Sequence, residues 1–529
     1  MKMKNSVAEK IESGNTYLGI EFGSTRIKAI LIDDTFAPIA SGGYTWENRL
    51  ENGYWTYSLE DIHKGLKTCY AELKKNVKEK YDVVLTTFGA MGISGMMHGY
   101  MPFNEKNELL APFRTWRNTT TEKAADELSE LFSFNVPQRW SIAHLYQAIL
   151  NNEPHVADIS YITTLAVYVH YLLTGEMAAG VGEASGMFPT KGIGYDQTMI
   201  DKFRKLISEK GYKWDIAEVL PTVKKAGENC GALTEGGAKF LDADGDLKPG
   251  IPFCPPEGDA GTGMTATDSV LPETGNISGG TSIFSMLVLD KPLKGVYKEI
   301  DIVSTPDGSD VAMIHCNNCC SELDAWVRLF GEFASLMGSE IEKPKLYSLL
   351  YKNAMKGSAS AGGVTAYNFL SGEPVAGVES GKPMYFRNPD GEFNLANFFR
   401  AELMSALAAL KMGNDILFDK EKVKAKRFAA HGGLFKEEGV TEVLTADAMN
   451  VPITIMTTAG EGGAWGMALL AAFMKVGNGK TLSDFLGEEV FKSAEKRVVE
   501  PKAEGVEGFK EYMKRFIGGL DAERAAGKV

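Results

Sequence analysis

The chain has 529 residues, 44% of them hydrophobic and 24% charged, with a formal net charge of −13. That length exceeds one hydrophobic core and predicts two large domains. The acidic excess is spread along the chain and disfavours nucleic acid or an anionic membrane as a general partner. Six irregularly spaced cysteines fit a reducing compartment. The first fifteen residues, MKMKNSVAEKIESGN, lack the apolar stretch of a signal peptide and read as a short polar leader. Apolar runs such as 467–474 fall far below membrane-spanning length. A cytoplasmic protein without membrane or nucleic-acid partners is the expectation.

In chain order, the first strong signal is YLGIEFGSTRIKAILIDD, residues 17–34, which reads as strand, Gly/Ser/Thr turn and strand. It returns as GNISGGTSIFSMLVLD, residues 275–290. Placing Gly23 on Gly279 also places Thr25 on Thr281, Ile27 on Ile283 and Asp34 on Asp290. Such turns, Gly23-Ser24-Thr25 and Gly279-Gly280-Thr281-Ser282, can offer backbone N–H and hydroxyl donors to a polyphosphate. Either hairpin alone is more readily an ordinary piece of α/β structure; the matched pair carries the functional reading. Between and after them, residues 82–88 and 452–456 read as strands, and 397–417 and 463–475 as helices. Alternation of this kind predicts sheets covered by helices. The Pro/Gly-rich stretch 247–263 is the interdomain candidate, with the boundary just after it: domains 1–268 and 269–529.

Within that stretch, Asp259 has Gly258 before it, Gly261 just beyond, and a helix expected to begin beside it. A carboxylate so placed can accept the proton of a hydroxyl that attacks a phosphoryl group. Taken alone, an Asp beside Gly is more commonly a cap or turn residue. Three other segments imitate ligand sites. GTGMTA, 261–266, has prolines where a leading strand belongs, and GNGKT, 477–481, follows a helix instead of a strand. HCNNCC, 315–320, has no second ligand pair and reads as a buried loop. Near the end, His431-Gly432-Gly433 is a strand-to-helix turn that can lie against an adenine and its phosphates, or simply pack a helix on a sheet.

Taken in order, these segments resemble the FGGY carbohydrate kinases, and among them the xylulokinases most closely. The similarity runs from about residue 17 to 473 through GIEFGSTRIKAIL, GISGMMHGYMPFN (92–104), LTGEMAAGVGEASGMF (173–188), EGDAGTGMTATDS, ISGGTS, FLSGEP (369–374), HGGLFKEEGVTEVLTADAMNVPI and EGGAWGMALLAA. The resemblance implies an α/β fold of two ribonuclease-H-like, actin-like ATPase domains facing a central cleft. It implies transfer of the ATP γ-phosphoryl to a hydroxyl of a ketose or related polyol, with Mg²⁺ and Asp259 as general base. Met97, His98, Trp116 and Asn118 would meet the sugar. Gly23, Ser24, Thr25, Gly279, Gly280, Thr281, Ser282, Gly432 and Gly433 would lie near ATP. Glu21 would join Asp259 in the metal environment through water, and a homodimer is a family-level expectation. Departures from the family pattern are Glu21 for Asp, Ala260 for Asn, Asn118 for Asp, Leu434 for a third glycine, and a poorly kept signature near 143–154. They touch the choice of substrate more than the reaction. The rival readings are an actin- or chaperone-like ATPase working on a protein partner, and a binding protein that has lost catalysis.

Overall fold

The computed structural model describes residues 2–456 and 462–529. The chain divides into two units. The first comprises Met1–Val270, Ile302–Val311 and Glu461–Ser493; the second comprises Leu271–Asp301, Ala312–Gly460 and Ala494–Val529. Among the described residues no helix is long and apolar enough to cross a membrane.

The first unit is built on a five-stranded sheet. Its order is Glu257–Gly258, Ala90–Gly95, β1 (Thr16–Phe22), β2 (Arg26–Asp33) and β3 (Pro38–Thr45). β1, β2 and β3 run as an antiparallel meander, and Ala90–Gly95 joins β1 in parallel. The strands are apolar on both faces because helices cover them: Leu18, Ile20 and Phe22 on one face, and Tyr17, Ile30 and Ile32 on the other, are all buried. On one face the helix Gly462–Val476 approaches β1 so closely that a side chain at Gly19 would collide with the Ala464 carbonyl.

The second sheet has seven strands, ordered Asp301–Ser304, Asp310–Cys316, Ile283–Val288, Thr274–Gly279, Arg427–His431, Ile453–Met456 and Lys496–Val499. Thr274–Gly279 and Ile283–Val288 form an antiparallel hairpin, and the first of them pairs in parallel with Arg427–His431. The sequence repeat is therefore a topological repeat: each hairpin's first strand sits between its own partner and a parallel strand. The turns differ by one residue. Phe22 pairs with Ile27 in the first hairpin, whereas Gly279 pairs with Ile283 in the second. Helix Leu395–Asp415, capped by the Asn394 side chain, is buried along most of its length, and Ala503–Ala526 forms the last helix.

Two expectations change. Residues 82–88 alternate in burial but form no strand, since they find no partner beyond isolated bonds such as Lys248 N to the Thr86 carbonyl. The polar leader folds as a helix, Lys2–Glu12, with Ile11 buried and Lys10 pairing with Asp33 at 2.9 Å. The stretch 247–263 runs inside the first unit, where Phe253 bridges Met91 and Glu257–Gly258 ends the sheet.

Candidate active site

Asp259 is the first residue of the helix Asp259–Ala266, directly after the short strand Glu257–Gly258. Its Oδ1 accepts hydrogen bonds from the backbone N–H of Met97 at 3.2 Å and of Ala260 at 3.0 Å. The carboxylate keeps exposed surface, yet protein atoms crowd it. That desolvation raises its pKa, while the two N–H donors and the Arg139 guanidinium hold it back.

Glu21, near the end of β1, lies beside it. Its Oε2 accepts the N–H of Ala464 at 3.1 Å, near the start of the helix Gly462–Val476. Burial, and next the negative charge of Asp259, push the Glu21 carboxyl up to about 7; the Ala464 N–H and Lys28 oppose the shift. Thr262 closes this corner, its hydroxyl 3.1 Å from Ser94 Oγ and near the Glu21 carboxylate. Two carboxylates with a hydroxyl beside them form a hard oxygen set of the kind that suits Mg²⁺, and their mutual repulsion favours a cation there. Among the described residues, no three His, Cys, Asp or Glu side chains gather as a metal cage. Mg²⁺ needs none, since it usually takes one or two carboxylates and completes its shell with phosphate and water.

Met97 and His98 follow the strand Ala90–Gly95. His98 is 5% exposed and has φ +71°, a conformation that costs a non-glycine residue about 1 kcal/mol or more. What holds it there is visible. Its ring stacks on Trp140, and Nδ1 lies 3.2 Å from the Gly186 carbonyl. Gly99, which follows, donates its N–H to the Arg139 carbonyl.

The first hairpin turn is clamped by aromatic side chains. The Trp46 indole donates to the Gly23 carbonyl at 2.7 Å, the Tyr57 hydroxyl to the Ser24 carbonyl at 2.6 Å, and the Trp116 indole to Ser24 Oγ at 3.2 Å. Thr25 stays exposed at the tip. Asn118 is 2% exposed and spent on backbone: it accepts from Trp55 N and donates to the Trp55 and Thr115 carbonyls. Both amide protons bond backbone carbonyls, so Asn118 braces Trp55. The ring of Trp55 carries the Arg117 guanidinium at 3.8 Å.

In the second unit, the turn Gly280–Ser282 is closed by a bond from Gly280 N to the Ser282 carbonyl at 2.8 Å. Cys320 N donates to the Gly280 carbonyl, and Thr281 is exposed. Gly432 has φ +101°, and a Cβ there would collide with the Gly279 carbonyl. Leu434 packs on Gly279, and Gly433 faces open space. The loop 457–461, expected at the adenosine end, lies outside the described residues.

Sequence reasoning missed Arg139, Trp140, Glu183 and Glu257. Glu183 and Glu257 are both buried, Glu183 against Gly258, the residue that precedes Asp259, and Glu257 against Gly180 and Gly182. Burial raises Glu257 to about 8, against the N–H donors of Gly182 and Glu183. Glu183 is raised well above the ordinary range by burial; its acidic neighbours Glu257 and Asp259 add to this and the Thr164 hydroxyl opposes it.

Comparison with known proteins accords with this geometry. Residues 16–264 match the N-terminal domain model, and 275–474 the C-terminal domain model, of the FGGY family of carbohydrate kinases. The xylulose kinase of Haemophilus influenzae is 23% identical over 527 residues, which cover 95% of this chain and 98% of that protein. The ligand-bound xylulose kinase of Lactobacillus acidophilus superposes with a TM-score of 0.79 at 16% identity, over 97% of this chain and 99% of the other. Plasmodium falciparum glycerol kinase with ADP gives a TM-score of 0.75 at 15% identity, over 96% and 98%. The fold is thus that of the two-domain, actin-like sugar kinases. With both domain models matched in order along most of its length, the chain belongs to the FGGY family of carbohydrate kinases, phosphotransferases that use ATP and act on sugar hydroxyls.

Proposed function

We propose that the protein transfers the γ-phosphoryl group of ATP to a hydroxyl of a ketose such as xylulose, or of a related polyol, with Asp259 as the general base. The observation that carries this reading is the Asp259 carboxylate, accessible and fixed at a helix start by Met97 N and Ala260 N, both bonded to Oδ1. Oδ2 accepts neither of those bonds and is the atom assigned to the proton. As the substrate oxygen bonds to the γ-phosphorus, its proton passes to Asp259 and the bond to the β-phosphate oxygen breaks, releasing ADP.

Met97 and His98 orient the acceptor; the strained, fully supported backbone at His98 fits a residue held for contact. Trp116 acts at the same side, and Asn118 acts through Trp55. Gly23, Ser24 and Thr25 in the first unit, and Gly279, Gly280, Thr281, Ser282, Gly432 and Gly433 in the second, are the nucleotide contacts of this reading. Glu21 and Asp259 would hold Mg²⁺ through water, and the ion would offset charge on the phosphates. The domain division at 268/269, a cytoplasmic location and a homodimer belong to the same proposal. The family relatives include kinases of xylulose and of glycerol, so the acceptor is the open variable. A panel of ketoses, aldonates and short polyols, read by ADP release, tests it. Sugar-dependent ADP release supports the reading; ADP release indifferent to every polyol overturns it and favours the protein-directed ATPase.

A further inference from the structure

Around Asp259 the hydrogen bonds close into a ring. Glu257, two residues before it, sets its carboxylate between Gly261 of the helix and the segment Ala178–Ser185. There Oε1 accepts the N–H of Gly182 at 3.2 Å, and Oε2 accepts that of Glu183 at 3.0 Å. The short helix Val181–Ser185 leads to Gly186, whose carbonyl lies 3.2 Å from His98 Nδ1. The residue before His98 is Met97, whose N–H returns to Asp259 Oδ1 at 3.2 Å. The circuit runs Glu257, Gly258, Asp259, Met97, His98, Gly186, Glu183 and back to Glu257.

The packing leaves this ring little slack. A Cβ at Gly180 or at Gly182 would collide with the Glu257 carboxylate, so two glycines vacate space for one buried acid. On the other side of Gly258, Glu183 Oε2 would be 2.7 Å from an added Cβ and the Met97 side chain 2.5 Å. Among the described residues no hydrogen bond of ordinary geometry reaches either buried Glu183 oxygen, and the Thr164 hydroxyl is its neighbouring donor. The short helix is tied down in turn, since the Ser185 hydroxyl donates to the Gly182 carbonyl and accepts from Ser304 N.

A buried carboxyl that lies outside solvent and binds only backbone is costly unless it fixes something. We infer that Glu257 is a positioning residue that sets the distance between the base Asp259 and the acceptor-side imidazole of His98, and thereby which hydroxyl of a polyol is presented to the base. The inference rests on the reading of Asp259 as base. Displacement of a reacting group by about 1 Å can cost about 10²-fold in rate, so a brace of this kind acts without touching the substrate.

The test is a set of variants assayed with ATP and the best acceptor of the polyol panel, alongside ¹⁵N spectra of the histidine rings in the free protein. Glu257→Gln keeps the volume but sets an amide NH₂ against a backbone N–H. It should lower kcat and raise KM for the acceptor, together tenfold or more in kcat/KM, with KM for ATP changed less than twofold. It should also move the His98 ring resonances before any substrate is added. Gly182→Ala, which crowds the same carboxylate from the opposite side, should reproduce both effects. Combined with His98→Ala, Glu257→Gln should lose less than the sum of the two single losses, since both act through one contact. An Glu257→Gln protein that melts earlier yet keeps its kcat, its acceptor KM and its His98 resonances overturns the inference, as does strict additivity with His98→Ala. Asp259→Ala in the same series separates the two levels. Full turnover there removes the base itself, whereas lost turnover there with unchanged Glu257→Gln kinetics removes only the brace.

Discussion

The two hairpins share a sequence pattern and a place in their sheets, but their surroundings differ in kind. Around the first turn stand three aromatic donors, Trp46, Tyr57 and Trp116, and β1 brings Glu21 to the acidic corner with Asp259. Around the second, among the described residues, glycines, Leu434 and the Cys320 N–H bring backbone against backbone. One framework therefore carries two chemistries. The turn of the first unit stands beside paired carboxylates, and the turn of the second beside close-fitting backbone.

The largest effect that would break this contrast is at Asp259. General-base catalysis typically contributes about 10²–10⁴-fold, so Asp259→Ala should lower turnover by that range while ATP binding persists. Steady-state kinetics with nucleotide titration measure both. Next is Gly432→Ala in the second unit, where a side chain meets both a positive φ and the Gly279 carbonyl. It should destabilise that unit by about 2 kcal/mol or more, seen as an earlier calorimetric transition. Third is the response to pH. The Glu21 carboxyl sits at about 7 in the fold against an ordinary 4.5, so the native state holds that proton more tightly. The stability it contributes is complete below about pH 4.5 and is lost as pH rises through 7. Denaturant titrations without Mg²⁺ should show that decline, and Glu21→Gln should flatten it. Smaller again is Tyr57→Phe, which removes one hydrogen bond from the first turn and should cost about 0.5–1.5 kcal/mol with a modest rise in KM for ATP. Gly433→Ala, beside Gly432 but facing open space, should change melting by less than about 0.5 kcal/mol.

What was legible in the sequence is what local pattern encodes. The hairpins, the helices at Leu395–Asp415 and Gly462–Val476, and the helix start at Asp259 all follow from spacing and glycine placement. What was hidden depends on partners far away in the chain. Asn118 matched a sugar-side motif, yet its amide is consumed by a strand segment 63 residues earlier. Residues 82–88 alternate like a strand, but a strand also needs a neighbour with free N–H and carbonyl groups. Glu257 reads as a loop charge until Gly182 and Glu183, over 70 residues away, are seen to hold it. Periodicity reports which face is buried; it does not report what a buried polar group binds.

The contact of Glu21 with Ala464 spans 443 residues, and it has a consequence for biosynthesis. The first unit receives the helix Gly462–Val476 only after the residues between it and β1 have left the ribosome, so β1 waits with Gly19 and its neighbours uncovered. Closing so long a loop is slow relative to local pairing. The acidic corner is therefore assembled among the last parts of the first unit, and a fragment ending at Val270 would carry Asp259 but lack the helix that receives Glu21. A nascent chain of this design gains its acidic corner late, after most of the second unit has been made.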